Sequence, residues 1–209
     1  MKNQPKLTTE IYDEISTAYV AKFNKPSENI DDFLKLIREG GKILDAGCGP
    51  GTDASYVASK GFNVIGIDLS EKMLEIAKRK SPGICFQKAD IRRLNFKPNI
   101  FDGIIASFSL IHIFKKDINK TINNFYKLLK PGGVVYIGIQ EGKSQEIFLV
   151  EPLKSDERIF LNIISVKEIK EILIRARFLV LAEFLRPAEN KEEFDFKKFI
   201  VIARKSTSN

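Results

Sequence analysis

Three aspartates close short apolar stretches in the first half of the chain. Asp45 lies in "KILDA", Asp68 ends "FNVIGID" and Asp90 follows "ICFQKA". The loop after Asp45 carries three alternating glycines at 47, 49 and 51. Carboxylates accept hydrogen bonds and attract cations, and glycines let a ligand lie directly on the main chain because they lack a Cβ. The pattern therefore predicts a binding site at one sheet edge for a ligand with a cationic group.

The glycine spacing misses that of a dinucleotide-binding loop by one residue, so a nicotinamide oxidoreductase is only the fourth of the hypotheses that the sequence leaves open. Such a loop reads G-x-G-x-x-G, and here Thr52 occupies the third glycine position. Asp45 would also repel a pyrophosphate. Asp68, 23 residues later, can accept both hydroxyls of a ribose, and Asp90 can accept an exocyclic amine such as that of adenine. In the simpler alternative, Asp68 and Asp90 are N-caps of following helices, and Asp45 only braces the loop amides.

Five β-type stretches alternate with helical ones between residues 42 and 140. The helical stretches lie at about 52–60, 70–80 and 116–130, and the β-type stretches are "KILDA", "FNVIGID", "ICFQKA", "FDGIIASF" and "GVVYIGIQ". Strands that are apolar on both faces and joined by helices form a parallel sheet covered on both sides. After a helix "VKEIKEILIRAR" capped by Ser165 and Glu168, the stretches "FLVLAEFL" and "FKKFIVIARK" predict an antiparallel pair at one edge.

The chain predicts one domain over residues 1–209. Two amphipathic helices, at 9–23 and 26–39, form an N-terminal helical cap within residues 1–40. The core follows at 42–140, and 141–164 is expected to be an irregular or mixed segment on the substrate side. The final helix and the antiparallel strands take 165–205. The expected fold class is α/β, with a mostly parallel sheet of seven strands.

Five motifs in register resemble the class I S-adenosylmethionine-dependent methyltransferases, of the small-molecule, ubiquinone/menaquinone-methyltransferase-like kind. They cover residues 42–140 and read "LDAGCGPG", "VIGIDLSEKMLEIAK", "KADIRRL", "FDGIIASFSLIHI" and "LLKPGGVVYI". The resemblance implies a Rossmann-like three-layer sandwich with a C-terminal antiparallel hairpin, S-adenosyl-L-methionine as cofactor, and an N-terminal helix that caps it. The chain departs from the family pattern after the late helix, where Ala-Gly-Phe is replaced by Ala176-Arg177-Phe178.

The resemblance also implies the residues that hold the cofactor. Asp45, Gly47 and Gly49 would take the methionine end, and Asp68 the ribose hydroxyls. The remaining implied contacts are Leu69 and Met73 around the sugar and adenine, Ala89, Asp90 and Ile91 at the adenine, Ser107 near the sulfonium and amino-acid tail, and Tyr19 over the site. Met73 and Ile91 are equally well explained as core residues.

Methyl transfer from a sulfonium is a displacement with an already activated donor, so the chain is expected to need orientation and no metal. His112 is the one side chain with an ordinary pKa near neutrality and is a weak candidate for a base, although simple packing is the stronger interpretation. The chain lacks the Asn/Asp-Pro-Pro-Tyr/Phe motif after its fourth strand, so we expect a small-molecule acceptor. The resemblance implies that Arg158 and Phe160 belong to the acceptor side.

Charge and composition leave an alternative open. The net charge of +7 would help a protein approach nucleic acid, so an RNA or protein methyltransferase remains a second hypothesis and a non-catalytic cofactor-binding homologue a third. However, the lysines are spread along the chain. There is no apolar run of membrane-spanning length and no signal-peptide pattern at the start, which predicts a cytoplasmic protein with no membrane partner. Cys48 and Cys85 are expected to be reduced.

Overall fold

A seven-stranded sheet forms the centre of the computed structural model, which describes residues 7–189 and 191–207. Residues 1–6, 190, 208 and 209 of the predicted domain lie outside the described residues. The strands of this sheet are β1 (Lys42–Ala46), β2 (Asn63–Asp68), β3 (Cys85–Lys88), β4 (Phe101–Ser107), β5 (Leu129–Glu141), β8 (Phe178–Arg186) and β9 (Lys197–Lys205). Two further strands, β6 (Gln145–Glu151) and β7 (Lys154–Ile163), form a separate sheet.

The order of strands in the main sheet is β3-β2-β1-β4-β5-β9-β8. The first five strands are parallel, and β9 runs antiparallel between β5 and β8. This arrangement confirms the expected mostly parallel sheet with a C-terminal antiparallel pair. The chain turns from one half of the sheet to the other between β1 and β4, and ligands of open α/β sheets bind at the carboxyl ends of the strands beside such a point.

Six α-helices accompany the strands in the described part of the chain. They are α1 (Thr8–Lys22), α2 (Ile30–Leu34), α3 (Thr52–Ser59), α4 (Glu71–Lys80), α5 (Lys115–Leu128) and α6 (Val166–Arg175), and a 3-10 turn lies at Leu110–His112. Ser165 Oγ accepts a hydrogen bond from the Glu168 N–H at 3.2 Å, as expected of an N-cap. Across residues 7–189 and 191–207, no helix combines the length and apolarity needed to span a membrane.

The second helix is shorter than predicted. The sequence predicts a helix over 26–39, but α2 has five residues, because Asn29 has φ +56° and the chain continues beyond Leu34 in tighter i→i+3 turns. The packing survives this change. Ile30, Phe33 and Ile37 are all buried against the sheet, as their spacing predicts.

The expectation of an irregular segment at 141–164 is wrong, since β6 and β7 form a separate antiparallel hairpin there. The first half of β7 is polar and the second half, Ile159–Ile163, is entirely buried. A strand of this kind lacks the alternation of apolar and polar residues by which strands are recognised, because only one end of it lies over the core.

Helices cover both faces of the sheet. One buried cluster packs α5, α6 and the end of β7 against one face, and Phe125 on α5 is fully buried within it. A second cluster packs α2 and α3 against the other face. Full burial of one such large apolar side chain stabilises a fold by about 1.5–3 kcal/mol. The resulting three layers confirm the expected α/β sandwich and fix the carboxyl ends of β1, β2 and β4 in space.

Candidate functional site

The loop after β1 has one glycine that faces open space between two that are closely packed. Gly47, Gly49 and Gly51 have φ of +86°, +50° and +75°, values in the left-handed region that favours glycine. A Cβ on Gly47 would lie 2.3 Å from Ser109 Cβ, whereas a Cβ on Gly49 would meet nothing within 4 Å. A ligand can therefore reach the main chain at Gly49, while Gly47 is required for packing.

Asp68, at the end of β2, is held by main-chain donors. Its Oδ2 accepts the Gly49 N–H at 2.8 Å, and its Oδ1 accepts the Ser70 N–H at 2.8 Å. Ser70, not Asp68, caps α4, because Ser70 Oγ accepts the Met73 N–H at 3.1 Å. Each carboxylate oxygen can accept further hydrogen bonds. Asp68 therefore has a fixed orientation and still has acceptor capacity on both oxygens.

Two more carboxyl groups lie under the glycine loop. Asp45 is 2% exposed, and its Oδ2 is a buried oxygen without a hydrogen-bond partner in the described part of the protein. Burial raises the pKa of Asp45 well above its ordinary value, and the nearby charges of Asp53 and Asp68 raise it further. Burial also raises the pKa of Asp53 and of Asp68. A cationic group bound here would satisfy the Asp45 oxygen and relieve this unfavourable burial of charge.

A hydroxyl network ties the chain after α1 to this site. Asp53 accepts hydrogen bonds from Ser27 N–H at 2.7 Å and Ser27 Oγ at 2.6 Å. Ser27 Oγ lies 2.7 Å from Ser107 Oγ at the end of β4. The sequence predicts Ser107 as a site residue but misses Ser27 and Asp53. Asp53 sits two residues after the glycine loop, which is a usable signal, whereas Ser27 meets its partners only in the folded chain.

Asp90 is bound differently from the other two predicted aspartates. Arg92 Nη2 donates to Asp90 Oδ2 at 2.6 Å, and Arg92 Nε lies 2.9 Å from Oδ1. Partial burial raises the pKa of Asp90, but the hydrogen bonds from Arg92 outweigh it, and the net shift is downward. The helix start expected after Asp90 is wrong: its Oδ1 accepts the Arg92 N–H at 2.9 Å, which forms a turn in place of a helix.

The predicted apolar contacts divide into half-buried and buried residues. Leu69 and Ala89 are half-buried directly after β2 and β3, and the Ala89 N–H donates to the Asp68 carbonyl at 3.0 Å. Met73 and Ile91 are 2% and 9% exposed. The last two side chains are as buried as core residues.

Aromatic residues of α1 lie beside His112. The ring of Tyr19 is 5.7 Å from that of Tyr12 and 4.7 Å from that of Phe23, measured between centroids. Tyr12 Oη lies 2.8 Å from His112 Nε2, and His112 Nδ1 lies 3.1 Å from the Phe160 carbonyl oxygen. A carbonyl only accepts, so Nδ1 carries the hydrogen and Nε2 accepts the Tyr12 hydroxyl. Burial lowers the pKa of His112 to about 4, which keeps the imidazole neutral at neutral pH.

The β6–β7 hairpin contributes a buried acid that the sequence does not single out. Glu151, the last residue of β6, is 4% exposed, and its Oε1 accepts the Leu153 N–H at 3.2 Å. Burial raises the pKa of Glu151. Burial raises the pKa of the Tyr12 and Tyr19 hydroxyls, and nearby negative charges, that of Glu151 among them, raise it further. Glu151 lies opposite Lys154 in the hairpin, and Lys154 Nζ pairs with Glu14 Oε2 of α1 at 3.4 Å, so this acid lies at the end of the hairpin that contacts α1.

The two hairpin residues that the resemblance implies, Arg158 and Phe160, both make hydrogen bonds within the protein. The exposed Arg158 donates from Nη2 to the Phe148 carbonyl at 2.6 Å and so braces the hairpin. Phe160 is 7% exposed and holds His112 through its carbonyl. Cys48 is buried and Cys85 exposed, and both are free thiols. Within residues 7–189 and 191–207, no group of three or more His, Cys, Asp or Glu side chains could hold a metal ion.

The glycine loop and its carboxylates lie within a recognised sequence family. A family model described as a methyltransferase domain matches residues 43–133. An uncharacterized methyltransferase of Oceanobacillus iheyensis is 30% identical over 146 residues, which cover 66% of this chain and 68% of the relative. A demethylmenaquinone methyltransferase of Clavibacter sepedonicus is 29% identical over 147 residues, covering 66% of this chain and 59% of the relative. This chain thus spans less than two thirds of the second relative.

A solved structure shares the fold over nearly its whole length. An S-adenosylmethionine-dependent methyltransferase structure from Methanosarcina mazei superimposes with a TM-score of 0.75 at 21% identity and covers 88% of this chain and 100% of its own. At that identity the likeness establishes the three-layer fold, and the Oceanobacillus relative carries the family assignment.

Proposed function

This chain belongs to the class I S-adenosylmethionine-dependent methyltransferases, and we propose that it methylates a small-molecule acceptor by in-line displacement. S-adenosylmethionine, when bound, supplies a methyl group on a positively charged sulfur that leaves as a neutral thioether. One observation carries the assignment of its site: the buried, unpartnered Asp45 Oδ2 lies under a glycine loop that is open at Gly49. That combination suits an ammonium group held against the main chain.

The proposed cofactor contacts follow the order of the strands. Asp45 with Gly47 and Gly49 takes the amino-acid end, and Asp68, oriented by two main-chain N–H groups, takes the ribose hydroxyls. The remaining proposed contacts are Leu69 and Met73 beside the sugar and adenine, Ala89, Asp90 and Ile91 at the adenine, Ser107 near the tail, and Tyr19 over the site. For Asp90 to accept the adenine amine, Arg92 has to give up part of its present hydrogen bonding.

The chain contributes mainly orientation to the reaction. Holding an acceptor in line with an activated methyl group replaces a bimolecular encounter by a unimolecular step, which can lower the barrier by several kcal/mol, up to about 7–11 kcal/mol in the best cases. His112 is neutral near pH 7, but its Nε2 already accepts the Tyr12 hydroxyl. A proton that His112 takes from an acceptor therefore passes through Tyr12 unless this hydrogen bond opens.

A small-molecule acceptor is supported by the elements above the cleft and by a relative. We assign the acceptor side to α1 and the short β6–β7 hairpin, which contact each other: Lys154 Nζ on the hairpin pairs with Glu14 Oε2 on α1 at 3.4 Å. The Clavibacter relative is a demethylmenaquinone methyltransferase, and demethylmenaquinone is a small molecule. We further propose that the protein acts in the cytoplasm, as the sequence predicts.

A methyl-label experiment tests the proposal. The purified chain is incubated with S-adenosylmethionine carrying a labelled methyl group, in parallel with a cell metabolite fraction, total RNA and total protein. Label in the metabolite fraction supports the proposal. Label in RNA, with binding that weakens steeply as salt rises, would replace it by the RNA alternative. Label in protein would show instead that the chain is a protein methyltransferase. Cofactor binding without label in any fraction would favour the non-catalytic homologue.

A further inference from the structure

The acceptor side of the cleft combines a buried acid with aromatic rings. Glu151 is 4% exposed and lies opposite Lys154, which pairs with Glu14 of α1, the helix that carries Tyr12 and Tyr19. The charge of Glu151 is one of those that raise the pKa of both tyrosine hydroxyls. The two rings meet edge to face at 82°, and the His112 ring lies 5.2 Å from that of Tyr12. The hairpin is tied to α1 by the pair of Lys154 with Glu14, and to the 3-10 turn by the hydrogen bond between His112 Nδ1 and the Phe160 carbonyl, so its Glu151 end is held against α1.

Glu151 has no cation to balance it within the described chain. The nearest lysine in sequence, Lys154, pairs instead with Glu14 at 3.4 Å and with Asp156 at 3.7 Å. Among the described residues, the Glu151 carboxylate accepts one hydrogen bond, from the main-chain N–H of Leu153. A buried carboxylate without a cation is unfavourable, and such groups are normally paired or bound to a ligand of opposite charge.

The charges around this acid restrict what can bind beside it. Asp68 and Asp53 also act on Tyr19, so an acceptor with an anionic group at this point would be repelled. A purely apolar group would leave Glu151 buried without compensation. A cation satisfies the carboxylate and also gains from the aromatic faces, since cations are attracted to the centre of such rings.

We propose that Glu151, together with Tyr12 and Tyr19, binds a protonated amine of the acceptor, so that the substrates of this enzyme are small molecules carrying a basic amino group. The inference rests on the proposed function and names its substrate class. Glu151 acts here as a specificity-determining residue: it recognises the charge of the acceptor, and the glycine-loop carboxylates hold the cofactor independently of it.

Calorimetry with matched amine and alcohol probes tests this inference. The full chain is saturated with S-adenosylhomocysteine at pH 7.5, where alkylamines are protonated, and titrated with phenethylamine, n-butylamine, 2-phenylethanol and 1-butanol. We expect each amine to bind at least tenfold more tightly than its matched alcohol. Glu151→Gln should weaken amine binding at least tenfold and leave alcohol binding and S-adenosylhomocysteine binding within twofold of the wild type.

The control removes a carboxylate from the same hairpin. Asp156 has a side chain that is 75% exposed, and Asp156→Asn should leave amine binding unchanged. Equal binding of amines and alcohols by the wild type would overturn the inference without recourse to any variant, and so would unchanged amine binding in Glu151→Gln. If the wild type does not bind S-adenosylhomocysteine at all, the proposed function is refuted. Failure of the inference and failure of the proposed function therefore give different results.

Discussion

The two halves of the cleft hold their polar groups by different means. After β1 and β2, main-chain N–H groups hold Asp68, and the space beside Gly49 is open. Around α1 the contacts join side chains: Tyr12 meets His112 of the 3-10 turn, and Glu14 meets Lys154 of the β6–β7 hairpin. The first half is built on the loops that follow the sheet strands, whereas the second depends on contacts between side chains of separate elements.

The largest expected effect breaks the first half alone. Gly47→Ala places a Cβ 2.3 Å from Ser109 Cβ at a φ of +86°, so the loop must shift away from its ligand-binding position. We expect the affinity for S-adenosylhomocysteine to fall about 100-fold or more, a loss of about 2.7 kcal/mol, measured by calorimetry.

Gly61 provides the matched control for that substitution. It has φ +87°, and an added Cβ would meet nothing within 4 Å. Gly61→Ala therefore carries the backbone strain of a left-handed alanine, about 1–2 kcal/mol, without the steric clash. It should lower stability and leave ligand affinity unchanged. Equal losses of affinity in both variants would show that strain, not the packing of Gly47, determines the effect.

Lowering the pH changes folding stability in opposite directions through the titratable groups of the two halves of the cleft. His112 has a folded pKa of about 4 against an ordinary 6.5, so the unfolded chain binds the extra proton between these values and stability falls as pH drops from 6.5 to 4. At pH 5 this amounts to about 2 kcal/mol. The raised pKa values of Asp45 and Asp68 act in the other direction, because their folded forms bind protons more readily.

Urea unfolding of His112→Gln at pH 5 and pH 7 measures the histidine contribution. Glutamine can still donate to Phe160 and accept from Tyr12, but it does not titrate. The variant should lose about 2 kcal/mol less than the wild type between the two pH values. An identical loss in both proteins would mean that His112 is not buried in its neutral form.

The smallest expected effect sharpens the contrast between binding and stability. Burial raises the pKa of Asp45, so its ionised form is costly in the ligand-free protein at neutral pH, and stability declines as pH rises above 3.8 toward the folded pKa. Asp45→Asn removes that cost and should stabilise the ligand-free chain by about 1 kcal/mol in urea unfolding at pH 7.5. The same variant should bind S-adenosylhomocysteine about tenfold less tightly. Unchanged affinity would exclude Asp45 from the site.

The same division explains what the sequence can predict. The residues of the first half are close in sequence, because Asp45, the glycines and Asp68 lie within 24 residues. The strand pattern alone predicts that Asp45 and Asp68 lie at the same edge of the sheet. The strand order also follows from apolar stretches joined by helices. In contrast, α2 is shortened by Asn29, whose backbone is left-handed, and the first half of β7 is polar. The spacing of apolar residues therefore does not predict the extent of either element.

The second half depends on contacts that no spacing reveals. Lys154 on the hairpin pairs with Glu14 on α1, although almost the whole cofactor core separates them in sequence, and His112 is positioned by a main-chain carbonyl at Phe160. Ser27 joins Asp53 and Ser107 only because the chain after α1 folds back over the glycine loop. Long-range side-chain contacts of this kind follow from tertiary packing, which local sequence patterns do not encode.

Calorimetric titration with S-adenosylhomocysteine, of the wild type beside Asp68→Asn, tests the central claim most directly. Asparagine keeps one acceptor oxygen but cannot serve both the main-chain donors and two ribose hydroxyls. The wild type should bind one equivalent, and Asp68→Asn should bind about 100-fold more weakly. Absence of binding by the wild type, or equal binding by both proteins, would contradict the assignment of the glycine loop and Asp68 as the cofactor site.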